Sequence, residues 1–128
     1  MRKIIYLTWQ DIEEAINGIA LQAGEISGIY AIPRGGLCAG VMLSHKLNIP
    51  LVNHIGLSVL VIDDICDSGK TIGNFLRLGL KVACLVNLSD QKIISSIKLP
   101  KHTWVVFPWE SKENAKNDLK EYEDKRNI

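Results

Sequence analysis

The sequence lacks both an excess of one charge and a long apolar run. Its 128 residues include 15 Lys and Arg against 14 Asp and Glu, so the formal net charge is only +1. Such a balance offers no electrostatic footprint for nucleic acid or for an anionic membrane surface. No apolar run approaches the roughly 20 residues that cross a bilayer. Residues 1–3 precede only four apolar residues, too few for a secretory signal. We therefore expect a cytoplasmic protein with no nucleic-acid or membrane partner.

Cysteine is scarce as well. The three cysteines, Cys38, Cys66 and Cys84, are odd in number and lie in apolar stretches without the spacing of metal ligands. We therefore expect buried thiols rather than disulfides or zinc ligands.

What the chain does contain is enough apolar material for one core. With 47% hydrophobic residues, a chain of this length sustains a single domain, which we predict to span residues 1–128. Segment 111–128 is almost wholly charged or polar, and it is predicted to form a solvated helix or a frayed tail of that domain.

The apolar residues predict strands and helices that alternate along most of the chain. Short β-branched runs such as residues 59–62 are typical of strands buried on both faces. The predicted strands cover residues 28–32, 51–55, 59–62, 81–86 and 104–107, and the predicted helices cover residues 9–23, behind an N-cap at Thr8, 37–47 and 71–78. This order predicts an α/β fold, a single Rossmann-like domain with a mostly parallel sheet flanked by helices.

Polar residues that directly follow the strands of such a sheet are the first candidates for function, because ligands bind outside the carboxyl ends of parallel strands. The loop at residues 33–36 carries Arg34, Gly35 and Gly36. Two glycines expose backbone N–H groups ahead of a helix, and an arginine adds a positively charged guanidinium that can donate two parallel hydrogen bonds. The pattern is typical of an anion site, with an ordinary Gly-rich turn as the alternative.

Residues 63–71 form the second loop of this kind. Adjacent Asp63 and Asp64 at the end of a buried strand are costly unless a cation or hydroxyl groups compensate for their lost hydration. A magnesium-bound sugar diol would do so. Residues 67–71 then offer two hydroxyls, a glycine and successive N–H groups at a helix start, the parts of a cradle for a phosphate monoester. The alternative is an acidic cap on a helix.

Spacing argues against two other families with partly similar loops. A P-loop requires a glycine five positions before Gly69, where Asp64 stands. A receiver domain carries its first pair of acidic residues near the N-terminus, whereas this pair lies in the middle of the chain.

Both loops match one known family. The PRPP-binding signature of the type I phosphoribosyltransferases resembles residues 59–71, VLVIDDICDSGKT, where PRPP is 5-phosphoribosyl 1-pyrophosphate. The pyrophosphate loop of that family is similar to residues 31–37, AIPRGGL. The xanthine-guanine phosphoribosyltransferase branch in particular resembles residues 8–9 (TW), 102–104 (HTW) and 108–110 (PWE).

The resemblance implies a role for each matched residue. Asp63 and Asp64 would bind the ribose hydroxyls of PRPP, directly or through Mg²⁺, and Asp67 would face purine N7 as general base or hydrogen-bond partner. The 5′-phosphate would be wrapped by Asp67, Ser68, Gly69, Lys70 and Thr71, and the pyrophosphate would be held by Arg34, Gly35 and Gly36. The family's non-proline cis peptide would fall at Pro33-Arg34.

The base site follows from the same resemblance. Trp104 would stack on the purine, with a buried structural tryptophan as the alternative. Asn87 stands where the purine-specific branch has a lysine that contacts the 6-oxo group of the base. An asparagine can still donate to that oxygen, but without charge and with a shorter reach.

The resemblance as a whole implies a Mg²⁺-dependent purine phosphoribosyltransferase with a reduced hood, which transfers the phosphoribosyl group of PRPP to guanine, xanthine or hypoxanthine and releases pyrophosphate. Family members have a long mobile loop before the strand at Val59, whereas only residues 56–58 occupy that place here. A non-catalytic module that binds PRPP or a nucleotide is therefore the alternative. We expect a homodimer or higher homo-oligomer, in which a partner subunit could supply the closing loop.

Overall fold

The computed structural model describes residues 2–126, and within them ten helices and strands form an α/β protein. The elements in chain order are β1 (Lys3–Tyr6), α1 (Trp9–Gln22), β2 (Gly28–Ala31), α2 (Gly36–Leu47), β3 (Val59–Cys66), α3 (Lys70–Arg77), β4 (Lys81–Asn87), β5 (Ile94–Lys98), β6 (Thr103–Val106) and α4 (Lys112–Arg126). The predicted α/β class is confirmed.

Two parallel sheets organise these elements. Four strands form the main sheet in the order β2-β3-β4-β5, and β1 pairs with β6 in a separate two-stranded sheet. Gly28 lies opposite Val59 at the start of β3, and Val61 lies opposite Val82 of β4. Because every pair is parallel, the carboxyl ends of the main strands meet at one edge, where the predicted loops follow β2 and β3.

Helices cover both faces of the main sheet. One face packs against α1 and α2, and its fully buried side chains include Ile12, Ile19, Leu43, Leu60, Ile62 and Leu85. The other face packs against α3 in a smaller cluster made of Val61, Cys66, Ile72, Leu80, Val82 and Cys84. The adjacent residues of β3 from 60 to 62 thus bury alternate side chains in two separate layers, as expected of a central parallel strand.

Local chemistry fixes where α1 and α2 begin and end. The Thr8 side chain accepts the Asp11 backbone N–H at 3.1 Å while Asp11 accepts the Thr8 backbone N–H at 2.8 Å, a reciprocal capping box ahead of α1. Helix α2 ends at Asn48, which adopts the left-handed conformation with φ 54° and returns its N–H to the carbonyl of Ser44.

Two strand predictions differ from the structure, and two strands were not predicted. Residues 51–55 do not form a strand, since only Leu51 makes an isolated bridge, to Ile29. Strand β3 continues through Asp63 and Asp64 to Cys66, so the acidic pair lies within the strand rather than after it. Strands β1 and β5 were not predicted. Strand β1 takes its apolar residues from a run of only four, residues 4–7, and β5 is an edge strand whose sequence, ISSIK, mixes polar and apolar residues.

The C-terminal segment forms a helix, α4, which is the first of the two predicted alternatives. Ala115 and Leu119 are buried and attach it to the body of the molecule. The end of the segment, residues 127–128, lies outside the described part of the chain.

The cysteines are free thiols. Cys66 and Cys84 are buried as expected, and Cys38 is half-buried. Burial raises the pKa of the Cys84 thiol, which keeps it protonated and unreactive. No helix within residues 2–126 is long and apolar enough to cross a membrane.

We predict opposite effects for two glycine substitutions. A Cβ at Gly40 would lie 2.6 Å from the Cβ of Ala31, so Gly40→Ala should force α2 away from β2 and lower the free energy of unfolding by about 1–3 kcal/mol. A Cβ at Gly73 would meet nothing nearer than 3.8 Å, so Gly73→Ala should raise it by about 0.5–1 kcal/mol. Urea unfolding measures both. A stabilised Gly40→Ala variant would contradict the close packing.

Candidate functional site

The candidate site lies at the carboxyl edge of the main sheet. It is built from the loop between β2 and α2, the end of β3, the loop before α3, and one side of the small sheet. Both loops singled out in the sequence meet here, as the parallel topology requires.

The first loop packs directly onto the end of β3. A Cβ on Gly35 would lie 2.2 Å from Oδ2 of Asp64, and one on Gly36 would lie 2.7 Å from the carbonyl oxygen of Ile62. A larger residue would therefore have to displace the Asp64 carboxylate at the first position and the backbone of β3 at the second. The Pro33-Arg34 peptide bond is cis, as the resemblance implied. The loop therefore places the exposed Arg34 and the uncapped start of α2 beside the acidic pair.

Asp63 and Asp64 are half-buried and share one environment. The Asp64 backbone N–H donates to Oδ1 of Asp63 at 2.8 Å, and the Ile65 N–H donates to Oδ1 of Asp64 at 2.8 Å. Burial, followed by the hydrogen bond and the charge of Asp63, raises the pKa of Asp64 to about 7. The pair thus favours a ligand that brings positive charge or hydroxyl donors.

The loop before α3 turns into the helix beside a small cavity. Gly69 has φ 85°, a left-handed conformation that lets the chain turn into α3, and the helix start carries no side-chain cap. The Ser68 hydroxyl accepts the Lys70 N–H at 3.3 Å. A cavity of about 140 Å³, which we call the phosphate cavity, is lined by Asp63, Ile65, Cys66, Asp67, Ser68, Gly69, Lys70, Thr71 and Ile72. It contains every residue that the resemblance assigned to the 5′-phosphate.

A second cavity of about 360 Å³, which we call the base cavity, lies between the end of β3 and the small sheet. Its lining residues are Asp64, Ile65, Asp67, Leu88, Thr103, Trp104, Val105, Phe107, Glu110, Asp118 and Tyr122. Trp104 is half-buried in its wall rather than sealed in the core, and its ring lies 5.5 Å from the ring of Tyr122. Asp67 lines both cavities.

Asn87 is placed differently from the sequence expectation. It is 5% exposed and is not among the residues that line the base cavity. Its Nδ2 donates to the carbonyl of Gln91 at 3.0 Å, and its Oδ1 accepts the Ser89 N–H at 2.9 Å and the Ser89 hydroxyl at 2.7 Å. The amide is occupied in holding the turn after β4, and Leu88 lines the cavity instead.

Sequence reasoning did not assign Glu110, Asp118 or Tyr122 to the site. Tyr122 was recognisable only as an isolated large side chain in a polar segment. In α4 it continues the inward stripe of Ala115 and Leu119, at spacings of four and three residues, so this helical period was the signal that could have placed it.

The donors at this edge suit magnesium better than a metal with an all-protein site. Within residues 2–126, no three His, Cys, Asp or Glu side chains cluster as a ready-made metal site. Asp63 and Asp64 supply carboxylates beside an open cavity, and Mg²⁺ is usually held by one or two carboxylates together with substrate phosphates and water.

The connection that precedes β3 is tight. The Val59 N–H donates to the carbonyl of Gly56 at 3.1 Å, and the Ser27 and Ser58 hydroxyls are 2.7 Å apart. Hydrogen bonds thus tie the short segment 56–58 to the rest of the protein.

Known proteins of similar sequence are purine phosphoribosyltransferases. The chain is 27% identical to the xanthine-guanine phosphoribosyltransferase of Idiomarina loihiensis over 139 aligned positions, which cover 82% of this chain and 86% of that protein. It is 26% identical to the xanthine-guanine phosphoribosyltransferase of Nitratidesulfovibrio vulgaris over 142 positions, with 86% of each covered. No protein-family model matches the chain.

Solved structures agree. The purine phosphoribosyltransferase of Pyrococcus horikoshii is 26% identical and superposes with a TM-score of 0.69, covering 84% of this chain and 95% of that one. The xanthine-guanine-hypoxanthine phosphoribosyltransferase of Helicobacter pylori shares the fold, with a TM-score of 0.67 at 17% identity over 90% of this chain and 99% of its own. The resemblance to the type I phosphoribosyltransferases, in their xanthine-guanine branch, is confirmed.

We predict that Asp64 makes the metal-free protein less stable as the pH rises. Because folding raises the pKa of Asp64 from 3.8 to about 7, the folded state holds an extra proton between these values, and stability falls as the pH rises through that window. Asp64→Asn should remove this slope and raise the free energy of unfolding at pH 8 by about 1–3 kcal/mol, a value reduced from full linkage because the group is partly exposed.

Urea unfolding at pH 5 and pH 8 measures the effect. Asp124→Asn removes an exposed carboxylate on α4 and serves as the matched control. Its unfolding free energy should change with pH as that of the parent protein does. An unchanged slope in Asp64→Asn would show that the buried pair is not its source.

Proposed function

We propose that this protein is a Mg²⁺-dependent purine phosphoribosyltransferase, which transfers the phosphoribosyl group of PRPP to guanine, xanthine or hypoxanthine. The observation that carries the proposal is the position of Asp67. This one carboxylate lines the phosphate cavity on one side and the base cavity on the other. A ligand that fills both would place a ribose, the piece that joins phosphate to base, beside Asp63 and Asp64.

Each group at the edge then has a task in substrate binding. The N–H groups and hydroxyls of residues 68–71 hold the 5′-phosphate, and Asp63 and Asp64 accept hydrogen bonds from the ribose hydroxyls. Arg34 and the backbone of Gly35 and Gly36 hold the pyrophosphate. Magnesium, when bound, supplies positive charge that stabilises the departing pyrophosphate.

The reaction exchanges one bond for another at C1 of the ribose. A nitrogen of the base forms a bond to C1 while the bond from C1 to the pyrophosphate oxygen breaks. Positive charge develops on the ribose as in an oxocarbenium ion, close to the carboxylates of Asp63 and Asp64. Asp67 accepts a proton or a hydrogen bond from purine N7. The protein contributes chiefly position and charge, since no side chain forms a covalent intermediate.

A second candidate function is supported by the tight connection before β3. A phosphoribosyltransferase excludes water during transfer, and a long closing loop is the family's means of doing so. With residues 56–58 fixed by hydrogen bonds, a module that binds PRPP or a nucleoside monophosphate without turnover is the competing function.

The first test is PRPP consumption with Mg²⁺ across a panel of purine and pyrimidine bases, at several protein concentrations. We expect pyrophosphate release with at least one purine, and loss of release on removal of Mg²⁺ with a chelator. PRPP or nucleotide binding by calorimetry without any product would favour the binding module. The absence of both binding and product would contradict both functions.

The second test is Asp67→Asn. Removing the general base while keeping the side-chain shape should lower kcat by about 10²- to 10⁴-fold and leave PRPP binding intact. Glu25→Gln is the matched control, because Glu25 is an exposed carboxylate that precedes β2 at the opposite edge of the sheet. Parent-like turnover of Asp67→Asn would exclude Asp67 from the chemical step.

A further inference from the structure

The base cavity has an outer wall that neither loop motif supplies. Helix α4 contributes Asp118 and Tyr122, one helical turn apart. The Tyr122 ring packs at a tilt against the Trp104 ring. Arg2 also contacts Tyr122: its guanidinium donates a hydrogen bond to the Tyr122 hydroxyl at 2.9 Å and lies 4.4 Å from the centre of the Tyr122 ring. Residues from both ends of the chain thus hold this wall in place.

The polar side chains of the cavity are mostly acidic. Carboxylates come from Asp64, Asp67, Glu110 and Asp118. Asp64 and Asp67 belong to the ribose end, and Oε1 of Glu110 accepts the Phe107 N–H at 2.8 Å. Asp118 is an exposed residue of the α4 wall and has no hydrogen bond or ion pair within residues 2–126. Its acceptor oxygens are therefore available to a bound base.

Positive charge is missing from the same cavity. No lysine, arginine or histidine of the described chain, residues 2–126, lines it. The Asn87 amide is occupied in the turn after β4, and the Lys98 ammonium donates to the carbonyl of Ser89 in that turn. Arg2, Lys101 and His102 line a neighbouring cavity, which shares Asp67 and Tyr122 with the base cavity. Within the base cavity itself, an amino group would meet a carboxylate, whereas an oxo group would meet no cationic side chain.

We propose that Asp118 is a specificity-determining residue that accepts a hydrogen bond from an exocyclic amino group, so that the site favours aminopurines over xanthine. This inference rests on the proposed function. An ionised carboxylate only accepts hydrogen bonds, and such charge-assisted bonds are about twice as strong as neutral ones. Xanthine carries oxo groups in place of amino groups. An oxo oxygen facing Asp118 would set two acceptors against each other with no proton between them.

Nucleoside monophosphates test this, because the phosphate cavity anchors all of them alike. Dissociation constants of GMP, AMP, IMP and XMP would be measured by calorimetry on the full chain, for the parent protein, for Asp118→Asn and for Asp124→Asn. Asp124 lies on the same helix outside the base cavity and gives the matched control. GMP carries a 2-amino group and AMP a 6-amino group, so their order relative to IMP shows which amino position is recognised.

We expect GMP or AMP to bind at least about tenfold more tightly than XMP in the parent protein and in Asp124→Asn. In Asp118→Asn this ratio should fall below about threefold, because a neutral amide can either accept from an amino group or donate to an oxo group. IMP affinity should stay unchanged, which a merely structural role for Asp118 would not allow.

Two results would overturn the inference alone. Tightest binding of XMP in the parent protein, or a ratio that survives in Asp118→Asn, would contradict it while leaving the proposed function intact. Failure of PRPP and of all four nucleotides to bind would overturn the proposed function, and this inference with it.

Discussion

The close approach of the Gly35 and Gly36 backbone to the end of β3 is the constraint on which the site depends. A Cβ at Gly35 would overlap the Asp64 carboxylate, and one at Gly36 would overlap the Ile62 carbonyl. Because the strands are parallel and adjacent, the two loops must leave the sheet side by side, and only glycine allows the first to lie against the second. The same contact that packs α2 onto β3 therefore also brings a candidate pyrophosphate loop against an acidic pair.

The charges of that acidic pair are poorly compensated by the surrounding protein. The apolar layers on the two faces of β3 are interrupted at Asp63 and Asp64, and Asp64 shares its environment with a second carboxyl group. A raised pKa means that the protein alone does not compensate for the lost hydration of the charge. A ligand that brings cations or hydroxyl donors would compensate for it, so ligand binding and stability are coupled at this edge.

Residues whose role is local were predictable from the sequence, and residues whose role depends on distant contacts were not. The segment from Asp63 to Thr71 carries its own turn, helix start and hydroxyls, so its pattern predicts an anion cradle without knowledge of the fold. Asn87 stands where the purine-specific branch has a lysine, and Ser89 and Gln91 bind its amide inside a turn. Strand β5 was missed because an edge strand of mixed polarity is defined by its partner rather than by its own period.

The base cavity shows how a short chain closes a site with few residues. Helix α4 buries little beyond Ala115 and Leu119, so its attachment to the body is weaker than that of α1 or α2. Arg2 and Trp104 hold Tyr122 at the far end of that helix. A base that contacts Trp104 and α4 together would add to this attachment. Binding at the cavity and docking of the helix would thus reinforce each other, and this coupling would not require a separate mobile loop.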